Sequence, residues 1–162
     1  MTEWIFCSFR WKERTTVICK KIKRHALING LDLCCMSTHQ GYVYPDKAKR
    51  QENIDLTLKQ IEIAYRLGVP IVRINTGRWR TTRSFDDLMA NRGIEPTLPG
   101  YTEEDGFKWV IDSIEKCLPK TEECGVILGL ENHWGLARIP EGNEDYKTAI
   151  PKSLSLLRKA FS

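Results

Sequence analysis

No run in this sequence approaches the ~20 apolar residues that a membrane-crossing helix needs, and no segment has the form of a secretion signal. Trp4-Ile5-Phe6 is too short for a signal core, and Arg10, Lys12, Glu13 and Arg14 follow it at once. Six cysteines (Cys7, Cys19, Cys34, Cys35, Cys117, Cys124) would suit disulfides in a secreted chain, but without a signal the expectation is reduced thiols in the cytoplasm. No Cys-x-x-Cys occurs, and Cys34-Cys35 sits inside an apolar run, which argues against a structural zinc or a thioredoxin-like motif. There is no basic stripe. The net charge of +4 keeps a protein soluble without calling for nucleic acid or an anionic membrane as partner. Sequence repeats and low-complexity segments are absent, and histidine is scarce: His25, His39 and His133 are all there are.

What is present fits one domain. A chain of 162 residues, 41% hydrophobic and 28% charged, can bury a core but has no room for two sizeable ones. Residues 1–16 are the least readable: Trp4, Ile5, Phe6, Phe9 and Trp11 suggest a short strand, with no turn chemistry to fix it. From Val17 the pattern turns helical, with Ile18, Ile22 and Ala26 at four-residue spacing and Asn29-Gly30 as the stop. Leu31 to Met36 reads as a buried strand. Lys47 to Leu67 reads as a helix with the stripe Ile54, Leu58, Ile61, Tyr65, closed by Gly68.

Val69 to Ile74 is the next strand, with Pro70 tolerated at its start and Arg73 interrupting the apolar run. A long connection over 76–101 contains Arg78, Trp79, Arg80 and Arg83 and a short helix around Phe85 to Ala90. Its length suits a lid or binding loop whose Arg/Trp cluster meets a phosphate or a sugar ring, or else a solvated loop with Trp79 packed locally. Thr102-Glu103-Glu104-Asp105 reads as a capping box for a helix with the stripe Phe107, Val110, Ile111, Ile114 and Leu118. Pro119 kinks or restarts that helix, and Gly125 ends it before a strand from Val126 of the fully buried kind. Residues 135–149 are polar, and Pro151 to Phe161 reads as a last helix. Alternating helices and strands imply βαβ crossovers and a parallel sheet, hence an α/β fold.

Each strand hands over to polar residues at its carboxyl end, where parallel α/β folds assemble their sites. Glu131 and His39 are the candidate catalytic residues. Asn75, Arg73, Asn132, His133 and Trp134 are candidates for substrate binding, the indole as a sugar-stacking wall. A carboxylate and an imidazole suit a divalent metal (Mn, Mg or Zn) that polarises a sugar carbonyl, although open catalytic metal sites take at least three protein ligands. The plainer readings are that Glu131 pairs with an arginine such as Arg73, that either histidine bonds backbone, and that Asn132 and Trp134 only pack. His25, on a helix, reads as structural.

From about Lys20 to Pro140 the chain resembles the xylose isomerase-like TIM barrels, the superfamily of sugar phosphate isomerases and epimerases that includes endonuclease IV. The resemblance rests on Met36-Ser37-Thr38-His39-Gln40-Gly41, on Ala64-Tyr65-Arg66-Leu67-Gly68-Val69-Pro70 leading to Ile74-Asn75-Thr76-Gly77, and on Gly129-Leu130-Glu131-Asn132-His133-Trp134-Gly135. It implies a partial (β/α)₈ barrel with about three recognisable β/α units, similar to the third, fourth and fifth strands and their helices. It also implies that Glu131 is a metal ligand and proton-transferring group. His39 matches the third-strand histidine of the endonuclease branch. Asn75 stands where that branch has a second histidine, so the sugar-enzyme branch fits better and a trinuclear zinc site is not implied.

The family's other metal ligands lie on later strands, for which this chain has no recognisable counterpart, so the metal site is expected to be incomplete. The expected organisation is a single partial barrel over 1–162 with atypical ends at 1–16 and 141–162, as in a truncated gene product. Its open sheet edges would favour a homo-oligomer. Three functions follow: a sugar or sugar phosphate isomerase/epimerase, possible only with the site completed; a non-catalytic binding or assembly module; and an endonuclease-like protein using Arg78, Arg80 and Arg83 on DNA.

Overall fold

The computed structural model describes residues 3–136, with side chains from Thr15 onward. The expected helix over 151–161 and most of the polar stretch before it lie outside the described residues. The element order is α1 (Glu3–Ile28), β1 (Cys35–Ser37), α2 (Lys47–Leu67), β2 (Ile71–Asn75), α3 (Phe85–Ala90), α4 (Glu103–Glu115), α5 (Leu118–Cys124) and β3 (Ile127–Glu131). The strands form a parallel sheet in the order β1-β2-β3. Among the described residues no helix is long and apolar enough to cross a membrane.

Local chemistry sets most boundaries. Asp46 caps α2 by accepting from the Ala48 N–H at 2.8 Å, and Gly68 ends it in the left-handed region at φ 72°. The capping box of α4 forms as expected, Thr102 accepting from the Asp105 N–H while the Asp105 carboxylate accepts from the Thr102 N–H. The side-chain and backbone bonds from Thr102 hold the Asp105 carboxyl below its usual range. Pro119 sits in the first turn of α5, and Gly125 closes that helix at φ 62°.

The amino-terminal expectation is corrected. From Glu3 the chain is helical and runs unbroken to Ile28, because neither glycine nor proline interrupts it. The buried side of α1 is also different: Cys19 and Ala26 are covered, whereas Ile18 and Ile22 are exposed. Helix α1 packs against α2, and Arg66 of α2 donates to the Thr16 hydroxyl at 2.6 Å, so the face toward α2 is the one that is covered. On α2, Tyr65 is 61% exposed, and Thr57 and Ala64 join Ile54 and Ile61 in the buried face.

The core lies between α2, α4 and the sheet. Ile54, Ile61 and Ala64 meet Val72 and Ile74 of β2 and Val110, Ile114 and Cys117; burial pushes the Cys117 thiol up to about 11. Alternation puts Val72 and Ile74 on this covered face and Ile71, Arg73 and Asn75 on the other. The register extends that second face to Cys35 and Ser37 of β1 and to Ile127, Gly129 and Glu131 of β3. No helix covers it. The two outer strands expected to be buried are therefore not: Cys35 is exposed, and Ile127 at the start of β3 is 62% exposed. Both belong to edge strands of a sheet that the described residues cover on one side.

The loops that follow the three strands meet through glycines. A Cβ on Gly77 would stand 2.7 Å from the Cα of Gly41, and a Cβ on Gly135 would stand 2.3 Å from the Gly77 carbonyl oxygen. Gly77 and Gly135 have φ of 97° and 109°, where L side chains are strained. The Tyr42 N–H donates to the Thr76 carbonyl at 2.9 Å, and the Leu136 N–H to the Gly77 carbonyl at 3.2 Å. Gly77→Ala is accordingly expected to cost at least about 2 kcal/mol of stability. Gly100→Ala, which meets nothing within 4 Å, supplies the comparison in urea unfolding. Equal midpoints for the two variants would refute the junction.

Candidate active site at the strand carboxyl ends

Arg73 emerges from β2 on the uncovered face. Its Nη1 donates to the Thr38 carbonyl, just past β1, at 2.8 Å, and its Nη2 donates to Glu131 Oε2 at the end of β3. The Arg73 carbonyl in turn accepts from the Thr38 N–H at 3.2 Å and lies 2.7 Å from the Thr38 hydroxyl. Gly129 is the register partner of Arg73, so the guanidinium extends toward Glu131 over a residue with no side chain. The plainer expectation, an ion pair between Glu131 and Arg73, is what the structure contains.

Glu131 is 41% exposed at its side chain, and His133 Nδ1 stands 3.4 Å from the same Oε2. Among the described residues Oε1 accepts no hydrogen bond. The His133 ring stacks on Trp134 with centroids 4.8 Å apart, and Trp134 packs on Phe85 of α3 at 5.1 Å. A Cβ on Gly93 would stand 2.8 Å from the indole, so the loop after α3 supports Trp134 from behind. Asn75, buried, is the register partner of Glu131. Glu131, Arg73, His133, Trp134 and Asn75 thus gather at one end of the sheet. His39 and Asn132 are exposed and make no hydrogen bond or ion pair among the described residues.

Two parts of the site had no clear sequence signal. The first is a buried polar chain running from the loop after β1 into α2. Gln40 Nε2 reaches the Tyr42 hydroxyl at 3.5 Å, which pairs with the Thr57 hydroxyl at 2.7 Å. Burial raises the Tyr42 phenol to about 12, against the opposing bond from Thr57. The second is Glu95, whose side chain is fully buried in the long loop. Its Oε1 accepts from Arg78 Nη2 at 2.7 Å and the Thr82 N–H at 3.2 Å, and its Oε2 accepts from the Arg80 N–H at 3.2 Å. Trp79 is buried beside this clip, edge-on to Trp109 at 5.9 Å, so of the two readings of the Arg/Trp cluster, Trp79 takes the locally packed one.

Arg73→Met is expected to lose about 1–3 kcal/mol of stability. In a double-mutant cycle with Glu131→Gln, a coupling of about 1 kcal/mol should appear in urea unfolding, whereas additive losses would mean that the pair contributes nothing. Glu95 gives a pH dependence. Burial alone would raise its carboxyl, but the Arg78 guanidinium and the Thr82 and Arg80 amides outweigh it and hold the pKa below the ordinary 4.5. The unfolded chain therefore takes up this proton first. The stabilisation is complete above pH 4.5 and drains away as the pH falls toward the folded value. Glu95→Gln should flatten that part of the stability–pH curve, and an unchanged slope would remove Glu95 from the account.

The sequence model of the xylose isomerase-like TIM barrels matches residues 3–148. No curated protein is significantly similar in sequence. Among solved structures, the chain is similar to the apo form of 3-keto-D-glucoside 4-epimerase from E. coli, with TM-score 0.54 and 14% identity over 72% of this chain and 41% of that one. It is similar also to mannonate dehydratase from Streptococcus suis serotype 2, with TM-score 0.52 and 19% identity over 84% and 47%. A D-tagatose 3-epimerase-like protein gives TM-score 0.51 and 15% identity over 70% and 38%. At these identities the likeness is one of fold, and the chain spans less than half the length of each of these proteins. The family match covers most of the sequence and agrees with the parallel β/α units: the chain belongs to the xylose isomerase-like TIM barrel family.

Proposed function

We propose that the chain forms part of the substrate site of a sugar or sugar phosphate isomerase/epimerase, with Glu131 as the group that moves a proton at a carbon next to a sugar carbonyl. The observation that carries this reading is the state of the Glu131 carboxylate. One oxygen is held by Arg73, with His133 Nδ1 3.4 Å away, while the other accepts no hydrogen bond among the described residues; it lies on the face those residues leave uncovered, and the His133 ring stacks on Trp134. A carboxylate oriented through one oxygen can take a proton with the other, and fixed orientation is what makes such a transfer efficient. Trp134 would stack on the sugar ring, and Asn75 and His133 would bond its hydroxyls. His39 and Asn132 would join only through a substrate that reaches them. The family and the names of the similar structures, two of them epimerases or epimerase-like, support the substrate class.

The residues described do not by themselves fit a divalent metal. Glu131 and His133 offer two donors, the carboxylate is already engaged by Arg73, and no group of three His, Cys, Asp or Glu converges among the described residues. A Mn, Mg or Zn ion at Glu131 would need donors from elsewhere.

A second reading, assembly with another copy of the chain, is favoured by the edges of β1 and β3 and the inner face, which the described residues leave open. The two readings are compatible, since a second copy could supply what the site lacks. A cytoplasmic location is proposed with them, in keeping with the free cysteines. DNA recognition gains little, because Arg78 is consumed by Glu95.

Titration calorimetry of the chain with Mn²⁺, Mg²⁺ and Zn²⁺, with light scattering, tests completion of the site. Exchange of substrate carbon-bound hydrogen with deuterated water, over a panel of ketoses and their phosphates, tests the proton transfer. The expected result is exchange that falls by about 100-fold or more in Glu131→Gln. Equal exchange in the two proteins would remove Glu131 from the chemistry.

A further inference from the structure

Arg80 combines three features that a loop arginine rarely shows together. Its backbone sits in the left-handed region at φ 60°, a conformation that disfavours a side-chain-bearing residue, and the Glu95 carboxylate holds it there by accepting its N–H. Its guanidinium carbon lies 4.0 Å from the centre of the Tyr44 ring, while Nη1 donates to the Arg78 carbonyl at 2.9 Å. Tyr44 is itself held, its carbonyl accepting from Arg50 Nη1 at the start of α2. A charged side chain has thus been fixed by backbone strain, by stacking and by a hydrogen bond, although it is exposed and could have been left to solvent.

Among the described residues Arg80 forms no ion pair; Glu95, the acid that holds its backbone, is ion-paired with Arg78. A second cation stands by the same ring: Lys49 Nζ is 5.7 Å from the centre of Tyr44 and also lacks an acidic partner among the described residues. The nearby acid in sequence, Asp46, is occupied in capping α2. The location is also specific. Arg80 Nη2 would stand 3.1 Å from a Cβ on Gly41, so the guanidinium rests on the glycine junction where the loops after β1 and β2 meet, and the loop after β3 touches that junction through Gly135. This is the same end of the sheet as Glu131.

We propose that Arg80, with Lys49 beside the same tyrosine, is the anion-recognition element of the strand-end site, so that the substrate is an anionic sugar, a phosphate ester or a sugar acid, rather than a neutral one. A pre-oriented guanidinium presents a planar fork that matches two oxygens of a phosphate or carboxylate. Stacking on Tyr44 fixes the plane of that fork without neutralising it. The inference rests on the sugar-enzyme reading above and narrows its substrate class.

The test is calorimetric binding to the full chain of a ketose, its phosphate ester, the corresponding sugar acid and inorganic phosphate, each also with Arg80→Gln and Arg80→Lys. One of the two anionic sugars is expected to bind at least about tenfold more tightly than the neutral one. The winner tells phosphate from carboxylate. That preference should vanish in Arg80→Gln, survive in part in Arg80→Lys, and leave affinity for the neutral sugar unchanged. If Arg80→Gln fails to fold by circular dichroism, Tyr44→Leu and Lys49→Gln, which leave the Glu95 clip intact, should each weaken the preference. Equal affinity for charged and neutral sugars, or a preference that persists in folded Arg80→Gln, overturns the inference. So does duplex DNA binding that depends on Arg80 while neither anionic sugar binds. Arg80-dependent binding of inorganic phosphate with no sugar bound at all would uphold the anion site but overturn the sugar-enzyme reading and, with it, the anionic-sugar substrate, whereas Glu131→Gln should abolish exchange and keep the anion preference.

Discussion

A parallel sheet that the described residues cover on one face has to be held together where its strands give way to loops, and Arg73 performs that task with one side chain. It crosses from β2 to the end of β1 through the Thr38 carbonyl and to the end of β3 through Glu131, while its own carbonyl receives the Thr38 N–H. The Arg73 side chain is only 15% exposed, so its guanidinium depends on those partners for the hydration it has lost. Glu131 consequently has two roles that pull in different directions. A variant that deletes its carboxylate removes a candidate proton carrier and also leaves Arg73 short of a partner. Gln, which keeps the shape and an acceptor oxygen, separates the two effects better than Ala.

Sequence spacing shows part of this arrangement and hides part. Arg73 and Glu131 both fall on the uncovered face by simple alternation from the apolar residues beside them, so their pairing could be anticipated from the strands alone. The helix over Lys47–Leu67, the short helix Phe85–Ala90 and the capping box at Thr102 were legible because caps and stops are local, written within four residues of the boundary. Burial was less legible because it belongs to neighbours. Ile18, Ile22, Tyr65 and Ile127 all look like core residues in the sequence, yet the side chain of each is exposed among the described residues. Glu95 could not have been picked out. Its partners are an arginine and two backbone amides 13–17 residues earlier in the chain, and nothing in the spacing of a loop announces a buried carboxylate.

The loop ends are joined by close approach rather than by side-chain chemistry. Gly41, Gly77 and Gly135 each follow a different strand, and wherever two of them meet the space admits backbone only. The sequence motifs that carry the family resemblance end on these same three residues. Contact between the backbones lets each loop be positioned by the sheet instead of by its own sequence. The residues around the junction, from Arg80 on one loop to Trp134 on another, are therefore free to vary in chemistry while keeping their place.

Along the uncovered face the character of the side chains changes in three steps. Cys35, Ile71 and Ile127 form the first layer, Ser37, Arg73 and Gly129 the second, and Asn75 and Glu131 the last. Apolar residues at the amino end and polar ones at the carboxyl end are the arrangement of a surface meant to be enclosed below and open above. Enclosure would desolvate the first layer and leave the last in contact with ligand, and it would also strengthen the Arg73–Glu131 interaction by removing the water that now reaches the carboxylate. Whatever covers the face, another segment or another copy, would thus act on the candidate chemistry through Arg73 even where it touches neither Glu131 nor a substrate.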